Sequence, residues 1–423
     1  MTLAASFLAD AKSRLLPASI PFRFFITAAV FHLLMWLVLL SAAGDATSFR
    51  GGPGPALAAV HLLTLGVLTL TAIGASAQVL PVATRRLPTA HWPITLVFWL
   101  FVPGLIALCA AMYIRRPAVI APAAAVTAAA LIIFAAILAD NLRRATSLPV
   151  VAAYGWAALA SLLVLAGLGV ALAGDYQIGV LPDHAAVALA HMIIGGFGFM
   201  GFLALGFSHV LVPMFALAAT PAKRPAYAGF VLAVVAVGTG TVGAVLGSKM
   251  MLTFAALIGL GAAGLHLWLM HQALATGMRK RLGLSFVLVR GAWVMLPSVL
   301  LVGLASLYDL AGPNGPTLFG FLLVAGWLLT FLLGILQRIL PFLASMHAPR
   351  APGKSPPPIS ELAASRPIRI HSMCHAVALF VIAAAIAGDM PELLRVGAGV
   401  GFVGAFAFLW FTAEVVRRLV PHA

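Results

Sequence analysis

The sequence is divided into apolar runs that are each long enough to cross a lipid bilayer. A helix needs roughly 20 residues to span the hydrocarbon core, and twelve runs of that order follow one another along the chain. They cover residues 21–43, 57–82, 93–114, 118–139, 149–173, 186–216, 226–247, 251–275, 288–311, 317–344, 368–388 and 394–416. Only 8% of the 423 residues are charged, against about a quarter in soluble domains. The sequence therefore predicts an all-α, polytopic membrane protein in which residues 1–423 form a single twelve-helix domain.

The positive charges indicate how these helices are oriented. Lys and Arg exceed Asp and Glu by 15, but they occur as short clusters between apolar runs rather than as one patch, which argues against a nucleic-acid partner. With the N-terminus in the cytoplasm, 20 of the 25 cations fall on the inner side, as the positive-inside rule requires. We therefore expect a bacterial inner-membrane protein with both termini cytoplasmic. The first run is long enough to be helix one rather than a cleaved signal peptide.

One long connection interrupts the pattern. Residues 346–367 are rich in proline and basic residues and are predicted to form a cytoplasmic loop. Such composition is typical of a flexible connector. A docking site for a partner protein is the alternative.

Three of the predicted helices share a short motif. Glycine and proline stand seven residues apart in Gly74–Pro81, Gly206–Pro213 and Gly334–Pro341, in predicted helices two, six and ten. A repeat at every fourth helix predicts three four-helix units related by a pseudo-three-fold rotation about the membrane normal. Each proline frees a backbone carbonyl in the preceding turn. Gln78, His209 and Gln337 are the nearby polar side chains that could satisfy it.

Two histidines near the outer ends of helices two and six are candidates for cofactor binding. His61 and His191 each lie about one turn into the apolar region and are each followed five residues later by glycine. Ionisable residues inside membrane spans are uncommon and are functional candidates by default. Nearby glycines would leave room for a flat macrocycle, and haem needs an axial imidazole. Haem or metal ligation is therefore one interpretation of this pair, and polar packing between helices is the other.

Further histidines are candidate metal ligands. His184, His191 and His209 are separated by seven and eighteen residues, so a regular helix would place them on one face. His191 and His209 would then be about 27 Å apart by the helical rise, which excludes a single mononuclear site. His371 and His375 have the i,i+4 spacing of a metal pair at the start of helix eleven, although an interfacial position would explain them equally well. His32 and His266, both mid-membrane, are interpreted as hydrogen-bonded core residues, with secondary ligands as the alternative.

Twelve helices with a shared motif in helices two, six and ten resemble the catalytic subunit of the haem–copper oxidases, in which those three helices carry the cofactor ligands. That resemblance implies that His61 is an axial ligand of a low-spin haem and that His191 is the nearest counterpart of a copper ligand. Helices seven and ten carry no histidine, where the oxidases hold a copper pair and two haem ligands. The resemblance therefore implies haem, with copper as a second cofactor, but no standard binuclear centre.

The chain is also similar in length and architecture to the NnrS-type membrane proteins, which hold haem and copper and are linked to nitric oxide stress. The stretch Pro21–Phe25 is similar to the start of their first helix. This resemblance implies a redox or gaseous-ligand role, with nitric oxide or oxygen as ligand, in respiration or nitrosative stress. The lipid bilayer and respiratory or electron-transfer proteins would be its partners. A membrane transporter or metal permease, and a cofactor-free respiratory assembly factor, are the alternatives.

Overall fold

The computed structural model describes residues 15–84, 90–145, 148–348 and 359–419. Within them, twelve helices are long and apolar enough to cross a membrane, which confirms the prediction of an all-α polytopic protein. In chain order they are α1 Ser19–Ser41, α2 Pro55–Gln78 (helical to Thr84), α3 Trp92–Tyr113, α4 Pro117–Arg143, α5 Pro149–Ile178, α6 His184–Ala216, α7 Lys223–Val245, α8 Lys249–Thr276, α9 Leu284–Leu307, α10 Gly315–His347, α11 Ser365–Ala387 and α12 Pro391–Leu419. Residues 1–14 and 420–423, on which the predicted orientation of the termini depends, lie outside this range.

The connection predicted over residues 346–367 is shorter than expected. Helix α10 continues to His347, a short helix occupies Ile359–Leu362, and α11 already begins at Ser365. His347 helps to hold the end of α10, since its ring nitrogens lie 2.8 Å from the carbonyl oxygen of Leu343 and 2.9 Å from that of Leu16. The centre of the predicted loop, residues 349–358, lies outside the described residues.

Three helices form the inside of the bundle. α2, α6 and α10 are the most buried spans, with 72%, 56% and 61% of their apolar windows inside the protein, whereas no other span exceeds 50%. Each packs against the helix before it, so that α1, α5 and α9 line the inner three. The remaining helices pair as α3–α4, α7–α8 and α11–α12, and α4–α5, α8–α9 and α12–α1 join neighbouring groups. The same packing relations therefore recur at every fourth helix.

The three inner helices share a structural irregularity that the sequence did not reveal. Each contains a π-helical stretch, at Leu62–Thr69 in α2, Ile194–Met200 in α6 and Leu322–Leu329 in α10. Every stretch begins twelve residues before the glycine of the shared motif. π-helical turns are rare and occur often at functional sites. Recurrence at one register in three helices makes this a feature of the repeat itself.

The glycines of the motif allow the close approach of neighbouring helices. A Cβ atom added to Gly74 would lie 2.8 Å from the Cβ of Phe24 in α1, and one added to Gly206 would lie 2.7 Å from the Cβ of Tyr154 in α5. Any side chain larger than hydrogen would push these helices apart. The glycines are therefore required by packing, as small residues are in many membrane helix pairs.

The third unit repeats this contact with a backbone atom involved. A Cβ atom added to Gly334 in α10 would lie 2.8 Å from the carbonyl oxygen of Ser285 and 3.1 Å from the Cβ of Leu288, both in α9. Phe24, Tyr154 and Leu288 are thus equivalent positions of α1, α5 and α9.

The polar residues beside the prolines do not have the role predicted for them. Both side-chain amide atoms of Gln78 are buried without a hydrogen-bond partner among the residues that the structure describes, and the amide nitrogen of Gln337 donates to Ser372 at 3.1 Å. His209 packs its ring against Tyr154 and His266 instead. The prediction that Gln78 and Gln337 satisfy the carbonyls freed by proline is therefore wrong, because tertiary packing directs these side chains elsewhere.

Candidate cofactor and metal sites

Seven of the described histidines form three groups inside the helix bundle. The His61 pair consists of His61 in α2 and His191 in α6. The His209 pair joins His209 in α6 to His266 in α8, and the His32 cluster joins His32 in α1 to His371 and His375 in α11. The sequence predicted the first pair, whereas the partners in the other two groups come from helices that are distant in the chain.

His61 is positioned by its own helix. It directly precedes the π-helical stretch of α2, and its Nδ1 lies 3.0 Å from the carbonyl oxygen of Leu57, one turn earlier. Since a carbonyl oxygen only accepts, Nδ1 carries the proton and Nε2 keeps its lone pair. An imidazole fixed in this way by a backbone carbonyl has the arrangement that metal-ligating histidines usually show.

His191 lies three residues before the π-helical stretch of α6. Its Nδ1 is buried without a hydrogen-bond partner, and its Cε1 would lie 3.2 Å from a Cβ atom added to Gly169 of α5. Only glycine at position 169 leaves the imidazole this much room. His61 and His191 are close enough for their charges to interact. Their joint ligation of a haem stays a prediction.

One ring nitrogen of His184 is engaged by a carboxylate. Its Nδ1 lies 2.7 Å from Oδ2 of Asp175, and its ring packs on Tyr176 with a centroid separation of 4.8 Å. Oδ1 of Asp175 also accepts the backbone N–H of Leu181. These contacts close the turn between α5 and α6, which gives His184 a structural role.

His209 takes part in a separate contact from His191. The π-helical stretch Ile194–Met200 lies between them and inserts an extra residue into the turn, which rotates the rest of α6 by about 100°. The prediction that His184, His191 and His209 share one face assumed a regular helix and does not hold for that reason.

The His209 pair lies against α5. The ring of His209 is 5.6 Å from that of His266 and 5.9 Å from that of Tyr154, measured between centroids. Both histidines are buried, and neither ring nitrogen of His266 has a hydrogen-bond partner. The interpretation of His266 as a hydrogen-bonded core residue is therefore wrong. No sequence signal links these three residues, since they lie on three different helices.

The His32 cluster contains the i,i+4 pair. The rings of His371 and His375 stack at 5.8 Å, and His32 lies 6.1 Å from His371. His371 is 0% exposed and His375 2%, so the alternative of an interfacial position for this pair is wrong. Both residues are buried because their helix, α11, packs between α12 and the inner helix α10.

Hydrogen bonds fix two of the three rings in the His32 cluster. The indole N–H of Trp36 donates to Nε2 of His32 at 3.1 Å. The hydroxyl of Thr330 donates to the carbonyl of Ala325 and lies 2.8 Å from Nε2 of His375, whose N–H it therefore accepts. Both nitrogens of His371 are buried without a hydrogen-bond partner in the described part of the chain.

Within the described ranges, no three His, Cys, Asp or Glu side chains are arranged so that they could hold a metal ion. The rings of His371 and His375 share a face, as predicted, but no third side chain completes a ligand set with them. Metal ligation by His184, His209, His371 or His375 stays a prediction, as does copper as a cofactor.

Comparisons with known proteins identify no family. No protein-family model matches the chain, and no curated protein matches it.

Proposed function

We propose that this chain is a haem-binding protein of the bacterial inner membrane and that His61 and His191 would hold the iron of one haem. The observation that carries this proposal is a pair of imidazoles at similar places on two inner helices, one directly before and one three residues before a π-helical stretch, and close enough for their charges to interact. For His61 the nitrogen that could ligate is Nε2, because Nδ1 donates to Leu57. For His191, Nδ1 is buried without a hydrogen-bond partner among the described residues and lies 3.8 Å from a Cβ added to Gly169.

The surroundings of the pair are π-helical and closely packed. Both histidines adjoin π-helical stretches, which are common at functional sites. The glycines around them allow close helix packing, since a Cβ added to Gly66 would lie 2.9 Å from Phe31 and one added to Gly196 would lie 2.8 Å from Leu323. Such packing would exclude water from an iron centre.

Haem with two imidazole ligands supplies one-electron chemistry and leaves no open position on the iron. The residues of this chain would bind the group, orient it and set its environment. Leu57 would hold His61 in the tautomer that presents Nε2, which raises the basicity of the ligand. The role favoured by this arrangement is electron transfer with a respiratory or electron-transfer protein as partner, rather than reduction of oxygen or nitric oxide.

The arrangement of the helices supports the resemblance to the haem–copper oxidase catalytic subunit. Packing relations that recur every four helices, and a π-helical stretch in each of α2, α6 and α10, are what three rotated four-helix units would produce. Under this proposal one of the three junctions between units binds haem, and the histidines for it come from α2 and α6 only.

Ligand substitutions test the proposal. The protein is expressed with added haem precursor and purified, and visible spectra are recorded before and after dithionite. His61→Ala and His191→Ala should each remove or shift the Soret band. His271→Ala is the matched control, because His271 is an exposed histidine of α8, and its spectrum should equal that of the unmodified protein. If both ligand variants keep the original spectrum, this pair does not bind the haem.

Carbon monoxide distinguishes one axial imidazole from two. With both ligands in place, the reduced protein should bind carbon monoxide weakly or not at all. Ready binding would mean that only one histidine ligates the iron, and it would favour a gaseous-ligand role.

A further inference from the structure

A cavity of about 330 Å³ lies between α6, α7, α8, α9 and α10. Small residues of α7 and α8 form one wall, including Ala233, Gly240, Ala255 and Gly259, and Phe197 and Trp327 form part of the opposite one. Its lining reaches from the middle of these helices to the end of the bundle where α9 ends and α10 begins. It lies outside the His61 pair and contains no histidine.

The lining of this cavity offers almost no polar contact. Ser306 carries the only hydroxyl among the lining side chains, and it donates to the carbonyl of Val302 at 2.7 Å. The indole N–H of Trp327 is the only other polar side-chain group. A ligand with buried polar groups would lose their hydration without replacement, so the chemistry of the lining selects hydrocarbon.

The repeat of the helices does not by itself require this cavity, because the equivalent space between α12 and α1 is filled. Gly259 of α8 faces Leu300 of α9, and Gly401 of α12 faces Trp36 of α1. Leu300 and Trp36 are equivalent positions, because each stands twelve residues after the residue that packs on the motif glycine, Leu288 or Phe24. Trp36 fills the space between α12 and α1, with its ring within 2.7 Å of a Cβ added to Gly401.

The next turn of the same helices repeats the contrast. Leu296, which lines the cavity, is equivalent to His32, four residues before Trp36. Between α12 and α1, the hydrogen-bonded Trp36 and His32 fill the space. Between α8 and α9, Leu296 and Leu300 leave it open.

We propose that this cavity binds a single lipid hydrocarbon chain, such as an acyl or polyprenyl tail from the surrounding membrane. Its volume lies at the lower end of the range of ligand pockets, about 300–1,000 Å³. An unfilled apolar cavity of this size forfeits dispersion contacts along its whole lining. The helices that form it are membrane spans, so hydrocarbon chains are the solvent that adjoins them.

Photo-crosslinking tests this site. The full-length protein is reconstituted into vesicles that contain either a phospholipid with a diazirine in its acyl chain or a diazirine-bearing polyprenol, irradiated and mapped by mass spectrometry. Crosslinks to the buried wall residues Ala255 and Ala262 are expected with at least one probe, and the probe that reacts identifies the source of the chain. Absence of crosslinks at both residues with both probes overturns the proposal.

Leu300→Trp introduces the residue type found at the equivalent position Trp36 and should close the cavity. Crosslinking at Ala255 and Ala262 should fall by roughly an order of magnitude, since a filled cavity leaves no space for a chain. Leu301→Trp is the matched control, because Leu301 is 55% exposed on the outer surface of the same helix. Equal crosslinking in the two variants overturns the proposal.

A second variant covers the case in which Leu300→Trp lowers the thermal midpoint of the protein. Ala256→Leu adds volume to the same cavity from α8, where Ala256 is a lining residue. It should reduce crosslinking at Ala262 to the same extent. An undiminished signal in this variant contradicts the proposal as well.

Discussion

At the scale of single residues, hydrogen-bond partners distinguish the buried histidines from one another. His61 and His32 each have one ring nitrogen engaged and a defined tautomer. His371 is fully buried, and neither of its nitrogens has a partner. A buried polar group without a partner costs about 1–3 kcal/mol, whereas its replacement by an apolar group of similar shape is nearly neutral or stabilising.

His371→Phe should therefore leave the thermal midpoint unchanged or raise it. His32→Phe should lower the free energy of unfolding by about 1–3 kcal/mol, because it leaves the buried indole N–H of Trp36 without an acceptor. Differential scanning fluorimetry in detergent measures both. A strongly destabilised His371→Phe protein would show that this imidazole has a bound partner, such as a metal ion or water.

The candidate histidines could be identified from the sequence, but the side chains that they contact on other helices could not. His371 and His375 were predicted to share a face because the helical repeat fixes that relation locally. Their contact with His32, and the contact of His209 with His266, depend on which helices become neighbours. No periodicity within one helix contains that information.

At the scale of elements, the Gly–Pro motif in α2, α6 and α10 marks where each inner helix meets the helix before it. The motif could be read from the sequence because glycine and proline constrain the backbone strongly. The π-helical stretches could not, since no single residue type specifies them. Because the π-helical stretch in α6 was not predicted, His209 was expected on the same face as His191. One π-helical turn changes the direction of every later side chain.

Substitution of the motif glycines tests the importance of this contact. Gly74→Ala and Gly206→Ala should each lower the free energy of unfolding by about 1–3 kcal/mol, because the new Cβ overlaps Phe24 or Tyr154. Gly264→Ala in α8 is the control, since no atom lies within 4 Å of its added Cβ. Thermal unfolding in detergent measures all three variants. Equal midpoints would mean that α1 and α5 can move away without loss.

At the scale of the whole molecule, the position of α2, α6 and α10 inside the other nine described spans comes from the structure, whereas the twelve apolar runs predicted the fold class. Composition was enough for this result, because 8% charged residues cannot cover a surface in water. The orientation of the bundle depends instead on the distribution of Lys and Arg between the two sides. It stays a prediction.

Cysteine labelling tests that orientation. In a Cys374→Ala background, where the remaining Cys109 is buried, Pro182→Cys and Arg281→Cys place single exposed thiols in the α5–α6 and α8–α9 connections. A membrane-impermeant maleimide should label Pro182→Cys in intact spheroplasts and Arg281→Cys only after the membrane is broken. The reverse pattern would contradict a cytoplasmic N-terminus.

The proposed function depends on one haem held between α2 and α6 by His61 and His191. Its test is the haem content of the unmodified protein, purified after expression with added haem precursor, by the pyridine haemochrome assay together with its dithionite-reduced spectrum. We expect about one haem per chain and the sharp α and β bands of a six-coordinate, low-spin iron. A purified, folded protein with no Soret band and no extractable haem would contradict it.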